Sequence, residues 1–339
     1  MKISQFSVTP YSIPFVKPLQ TAEKIYTHRE GVWLQLHWED YTGLGEAAPL
    51  EGFSRENMKE VHCALERFHQ AIDGETLDSD DLLSLVNIHT EGIPSARFAL
   101  ETAVFDILSQ EAGKPLSLFL NPHTPTEIAV NGITGIHMPD EGFDVMKVKV
   151  GFRNIFDEIE NMEHLTQSFG EDVSFRLDAN GAFDLPQAIR FCKEMESFNI
   201  DYIEQPLPAE ELVDMAELSY HTEISIAVDE SLTDFNSAEK IIENQAVNVF
   251  IIKPMVSGGF TECKKIIDLA RKEEIRTVVT SSLETSIGRM ACLHIAAANE
   301  ITEACGLATG IFLNEDAKAS VIENGLIRVP DIPGMGLKI

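Results

Sequence analysis

Five stretches decide the reading of this chain: DVMKVKVGF at 144–152, VSFRLDAN at 173–180, DYIEQP at 201–206, ISIAVDES at 224–231 and VNVFIIKP at 247–254. Each is a strand-length run of β-branched and other apolar residues that stops at a charge. The charges are Lys149, Asp178, Glu204, Asp229 and Lys253. From Lys149 to Asp178 is 29 residues, and the next three steps are 26, 25 and 24. Such near-constant steps match one strand, one helix and their two loops. EIAVNGI (127–133), RTVVTSS (276–282) and TEACGLA (302–308) extend the series to eight. The expected fold is therefore α/β, a TIM-type (β/α) barrel.

Working outward, residues 3–13, 31–40 and 42–49 read as short strands punctuated by Pro or Gly. SRENMKEVHCALERFHQAI (54–72) is an amphipathic helix for which Ser54 is the expected N-cap. SARFALETAVFDILSQEAG (95–113) is a second helix that Gly113 closes. The expected domains are an α+β capping unit at 1–115, the barrel at 116–318, and a tail at 319–339 that returns to the capping unit.

Barrel active sites gather at the carboxyl ends of the strands. Asp178, Glu204 and Asp229 would meet there, and three carboxylates at one point repel unless a cation neutralises them. Oxygen-only ligands favour Mg²⁺, with Mn²⁺ a substitute. Any one of these acids read alone is as well a helix N-cap; three in phase point to a metal. Lys147 and Lys149, two apart on a strand, share a side. A lysine beside another cation has its charged form disfavoured, which makes Lys149 the expected general base. Lys253 closes a strand too apolar to face solvent, opposite Lys149 in an eight-membered ring. Arg176 and Asn180 share the parity of Asp178, which suggests a substrate contact and a ligand-orienting group, or plain packing. In TSSLETSIGR (280–289), Ser281, Ser282 and Gly288 precede or open a helix, and its N-terminus is an expected carboxylate site.

The chain has 55 acidic against 26 basic residues, a formal charge of −29. That disfavours nucleic acid and anionic membranes as partners, and it obliges any site for a carboxylate substrate to supply local positive charge. Five cysteines, odd in number and never arranged as CxxC, argue against a disulfide framework or a thiolate zinc site. The start MKISQFSVTPYSIPF lacks a leader pattern, so a cytoplasmic location is expected.

The strings APLEGFSRE (48–56), KVKVGF, RLDANGAF, VDES, IIKPMVSGG, SSLETSIG and GLATG (306–310) resemble the enolase superfamily and its muconate-lactonizing subgroup. Within it they are most similar to the o-succinylbenzoate synthase family of menaquinone biosynthesis. The resemblance implies a capping domain closing over the barrel mouth and a Mg²⁺ that binds a substrate carboxylate. It also implies a lysine that removes the neighbouring proton to give an enediolate. For a synthase the substrate is 2-succinyl-6-hydroxy-2,4-cyclohexadiene-1-carboxylate; Lys149 takes and returns the proton, Lys253 stays a cation, and Asn180 and Glu230 orient them. Dipeptide epimerases resemble the same framework but carry Asp-x-Asp after the last strand, where this chain has CGLATG. Epimerisation or racemisation of a dipeptide or N-acylamino acid, muconate cycloisomerisation, and a silent barrel that only binds are the competing expectations.

Overall fold

The computed structural model describes residues 2–20, 25–135, 142–245, 247–314 and 321–337. Three antiparallel strands open the chain, β1 (Gln5–Gln20), β2 (Ile25–Trp38) and β3 (Tyr41–Ala47). Helices α1 (Met58–Ile72), α2 (Ser79–His89) and α3 (Pro94–Glu111) cover one face of that sheet. Leu34, Leu36, Phe68, Leu82, Leu100 and Val104 are fully buried between the layers. The sheet lies unusually close to α3, since a Cβ on Gly43 would stand 2.0 Å from the Ala103 carbonyl oxygen. Only glycine permits that approach.

The cap of α1 is Asn57, not Ser54: its side chain accepts from the Lys59 and Glu60 amides, and Glu60 answers to the Asn57 amide. This reciprocal pair satisfies two groups where a serine three residues earlier satisfies none. Ser54 instead accepts from the Leu50 amide at 3.0 Å and closes a tight turn over Leu50–Ser54. Gly113, at φ +63°, follows the end of α3 as expected.

After α4 (Leu116–Leu120), β4 (Glu127–Ala129) and β5 (Gly132–Ile133), strands and helices alternate. They are β6 (Val145–Lys149), α5 (Ile155–Phe169), β7 (Ser174–Asp178), α6 (Leu185–Met195), β8 (Ile200–Glu204) and α7 (Leu212–Ser219). Then come β9 (Ser225–Val228), α8 (Phe235–Glu243), β10 (Val249–Ile252), α9 (Pro254–Ser257), α10 (Phe260–Lys272), β11 (Arg276–Val279) and α11 (Ser286–Ala298). Strands β5 to β11 form one curled parallel sheet in sequence order.

The barrel expectation is met with two differences of detail. Instead of a full eighth strand, only Cys305 and Gly306 bridge the gap, to Val130 on one side and Thr280 on the other. The Cys305 amide donates to Ala129 at 2.7 Å and that of Gly306 to Val279 at 2.9 Å. A 3-10 turn over Ala308–Phe312 follows at once. The run 127–133 is likewise split: β5 joins the barrel, whereas β4 pairs with the tail strand β13 (Leu326–Arg328), itself paired to β12 (Ile322–Glu323). Farther on, Gly334 bridges Pro115, and the Met335 amide donates to Asp106 of α3 at 2.8 Å. The tail thus divides its contacts between the start of the barrel and the capping unit's last helix.

Candidate active site

Register places the charges. Lys147 lies beside Arg176, Lys149 beside Asp178, and Asp178 beside Glu204. Alternation sends Met146 and Val148 into the core outside the ring, so Lys147 and Lys149 turn inward. Asp229 and Lys253 each follow their strand by one residue. Beneath them, Tyr202, Ala227, Val249, Ile251 and Val278 form a separate apolar cluster. The five charges therefore stand at one end of the ring over an apolar floor.

Asp178, Glu204 and Asp229 are nearly inaccessible, at 2%, 1% and 5%. Lys147 bridges two of them, with Nζ 2.8 Å from both Asp178 Oδ2 and Glu204 Oε2. Lys149 Nζ is 2.8 Å from Asp178 Oδ2 and also donates to Asn180 Oδ1. Lys253 donates to Asp229 Oδ2. Burial lowers the proton affinity of Lys147, but Asp178 and Glu204 outweigh it and hold the group well above the usual lysine range. Lys253 is raised in the same way by Asp229 and Glu230. Two carboxylates at 2.8 Å thus favour the charged form of Lys147. Burial first, and repulsion from Asp178 next, push Glu204 up to about 8.

An oxygen-only set that strains against its own charge suits a hard dication. Asp178, Glu204 and Asp229 fit one in the chemistry of their donor atoms. Among the described residues, however, no three His, Cys, Asp or Glu side chains converge as a ready cage, since the carboxylates are turned onto lysines. Behind Lys149, Asn180 sits at φ +45° and donates through Nδ2 to Glu230 Oε1 at 2.8 Å. Glu230 Oε2 is buried with no partner among the described residues. The resemblance placed Asn180 and Glu230 behind the lysines, and here they form a chain to Lys149.

The other expected contacts fall differently. Arg176 is buried and faces the strand starts: Nε donates to Asp201 at 2.8 Å, Nη2 to Glu303 at 3.4 Å, and Nη1 to the Ala304 carbonyl. Its plane also lies 4.8 Å from the centre of the Tyr202 ring. A guanidinium so engaged has no donor aimed at the mouth, because parity fixes the side of a strand and not the end to which a long side chain runs. The N-terminus of α11 is also taken. Glu46 of β3 accepts from the Thr285 and Gly288 amides, each at 2.9 Å, and from Thr285 Oγ1 at 2.6 Å. The carboxylate attracted to that helix is the protein's own. Ser281 Oγ is paired with Thr309 Oγ1, and the Ser282 amide donates to Glu284 at 2.7 Å. Ser282 Oγ and Glu284 Oε1 are buried without a partner among the described residues.

Two residues escaped sequence reasoning. Phe53, on the Leu50–Ser54 turn, has its ring centre 5.7 Å from Lys253 Nζ. Gln205, which follows Glu204 at φ +40°, accepts from the Asp229 and Ser231 amides and donates to Leu207, and so shapes the loop that presents Asp229. A polar residue directly after a strand-end acid was the available signal for Gln205; for Phe53 it was its place in the string APLEGFSRE.

The family described as "Enolase C-terminal domain-like" matches residues 137–339, and "MenC, N-terminal domain" matches 3–107. The chain belongs to the enolase superfamily. This superfamily member is 29% identical to the N-succinylamino acid racemase of Thermus thermophilus, over 100% of this chain and 95% of the relative. It is 26% identical to the o-succinylbenzoate synthase of Desulfotalea psychrophila, over 93% and 96%. The solved dipeptide epimerase of Enterococcus faecalis, complexed with Mg and the dipeptide L-Leu-L-Tyr, superposes with a TM-score of 0.88 at 26% identity, over 99% of both chains. Among the described residues, no helix of this enolase-superfamily protein is long and apolar enough to cross a membrane.

Proposed function

We propose that the chain is a Mg²⁺-dependent o-succinylbenzoate synthase that dehydrates 2-succinyl-6-hydroxy-2,4-cyclohexadiene-1-carboxylate. The observation carrying this reading is the asymmetry of two lysines flanking three buried carboxylates. Each is ion-paired, Lys149 to Asp178 and Lys253 to Asp229, but the Lys149 side chain is 56% exposed at the mouth and that of Lys253 only 18%. One is placed to exchange a proton, the other to stay a cation.

Asp178, Glu204 and Asp229 would hold the metal, whose role is to neutralise the substrate carboxylate as the adjacent carbon gives up its proton. Lys149 removes that proton. The electron pair forms the new ring double bond as the C–OH bond breaks, and the hydroxyl takes the proton back from Lys149 and leaves as water. Lys253 stabilises the negative charge that develops between these events, facing it with a fixed ammonium. Asn180, anchored on Glu230, holds Lys149 to one side of the ring.

Support for this substrate over a dipeptide comes from the loop after Gly306, where Leu307, Ala308, Thr309 and Gly310 supply no carboxylate for a substrate ammonium. The match of residues 3–107 to the "MenC, N-terminal domain" points the same way. The racemase likeness supports a second reading, in which both lysines exchange protons with an N-acylamino acid.

The deciding experiment supplies the cyclohexadiene substrate to the native chain and to Lys149→Ala and Lys253→Ala, with and without EDTA. The synthase reading expects o-succinylbenzoate from the native chain only, abolished by EDTA and restored by Mg²⁺. A Lys149→Ala variant dehydrating at near-native rate sinks it. Deuterium uptake from solvent into an N-succinylamino acid, without any dehydration of the diene, establishes the racemase instead.

A further inference from the structure

We infer that Arg29 is a positioning residue for this site, a buried guanidinium that sets the mouth by clamping the Leu50–Ser54 turn to the loop after β11. The inference rests on the site described above, although its first test does not require the proposed substrate. Arg29 lies on β2 and is 1% exposed. In a chain with twice as many acids as bases, a buried arginine is expected to meet a carboxylate. This one meets none within ion-pair reach among the described residues.

All of its donors go to backbone carbonyls. Nε donates to Leu283 at 3.0 Å, Nη2 to Ser282 at 3.2 Å and to Ala48, and Nη1 to Pro49 at 3.3 Å and to Glu30 at 3.4 Å. Four of these five carbonyls belong to two loops on different units of the fold. Ala48 and Pro49 lead directly into the turn that carries Phe53 over Lys253. Ser282 and Leu283 follow β11 and bring Ser281 and Ser282 to the barrel end.

The planar fork is what makes this possible. Guanidinium presents five N–H groups in one fixed plane, so two loops bound to its two edges are held at one separation. Lysine, with three donors on a rotating ammonium, cannot hold both edges. Secondary contacts run along the same path. The Ala48 amide donates to Met255 Sδ at 3.4 Å, two residues beyond Lys253, and Tyr26 Oη donates to the Glu51 carbonyl at 2.5 Å. Past the turn, Arg55 reaches across to Asp234 at 2.7 Å, in the loop that also holds Asp229. With Arg29 removed, Phe53 loses its fixed height over Lys253 while the strands beneath keep their own hydrogen bonds.

The test uses the full-length chain with Arg29→Met and Arg29→Lys. Trypsin cleavage after Arg55, in the turn's exposed flank, reports opening of the turn; cleavage after exposed Lys272, at the end of α10, reports everything else. The expected result is cleavage after Arg55 that is faster by about tenfold in Arg29→Met and less so in Arg29→Lys, with Lys272 unchanged. Millimolar guanidinium, but not sodium, should restore protection by refilling the vacated site. On the proposed substrate, KM should rise about tenfold with kcat nearly kept, because the proton-transfer groups stay in place. Unchanged cleavage at Arg55, or equal acceleration at Lys272, overturns the inference; if Arg29→Met does not fold, Arg29→Lys decides by the same two sites. Absence of any synthase activity in the native chain refutes the proposed function and leaves the cleavage result to stand by itself.

Discussion

Replacing Glu46 with alanine tests how the capping unit is joined to the barrel. Glu46 accepts hydrogen bonds from the Thr285 amide and hydroxyl, the Gly288 amide and the Tyr11 hydroxyl. In the variant the Thr285 and Tyr11 hydroxyls lose an acceptor but can rotate, and the Thr285 oxygen keeps a partner, because Trp33 Nε1 donates to it at 3.1 Å. The two amides at the start of α11 do not. A buried donor left without an acceptor costs about 1–3 kcal/mol, and the lost charge at a helix N-terminus adds about 1 kcal/mol. The sum is about 3–7 kcal/mol, with a centre near 5. Unfolding entropy of about 2.1 cal/mol/K per residue over 339 residues is about 0.7 kcal/mol/K. The melting temperature should therefore fall by about 7 °C in a calorimetric scan. Glu46→Gln, which keeps an acceptor, should lose about half as much, and Tyr11→Phe about 1–2 °C. A Glu46→Ala protein that melts within about 1 °C of the native one refutes the reasoning, since it would mean that water satisfies those amides without penalty.

Three further outcomes are expected. His294 is fully buried, accepts from the Ser117 amide and pairs with the Met335 carbonyl; burial lowers it to about 4. The unfolded chain then binds the extra proton between about pH 6.5 and 4. The resulting stability is complete above 6.5, falls with pH and is gone near 4, a change of about 3 kcal/mol. His294→Gln should show a shallower acid slope in calorimetric scans across that window, and equal slopes would remove His294 as its source. Arg176→Met leaves Asp201 and Glu303 paired to Arg276 alone and strips the Ala304 carbonyl of its donor, and should destabilise by about 1–3 kcal/mol in urea titrations while leaving KM alone. A raised KM with unchanged stability would reinstate Arg176 as a substrate contact. Mg²⁺ at about 100 times its Kd should stabilise the native chain by about 2.7 kcal/mol, and Asp229→Asn by much less. Equal stabilisation of both would move the metal off Asp229.

Much of this protein is legible along the chain because a parallel barrel repeats one local pattern. An apolar strand ending at a charge, recurring every 24 to 29 residues, identifies the strands, their order and the end at which Lys149, Asp178, Glu204, Asp229 and Lys253 gather. Period-two alternation turned Lys147 and Lys149 inward without reference to any neighbour. Tertiary structure decided what lies between those local rules. The N-terminus of α11 was open in sequence and filled in space, because Glu46 is 239 positions away from Thr285. Arg176 shares the parity of Asp178 but runs to the opposite end of the ring, where Asp201 and Glu303 wait. Phe53 and Arg29 belong to the capping unit, and their work appears only when that unit is laid against the barrel. Periodicity is a property of neighbours in the chain, whereas long side chains and helix termini choose partners by distance and charge, which the order of residues does not record.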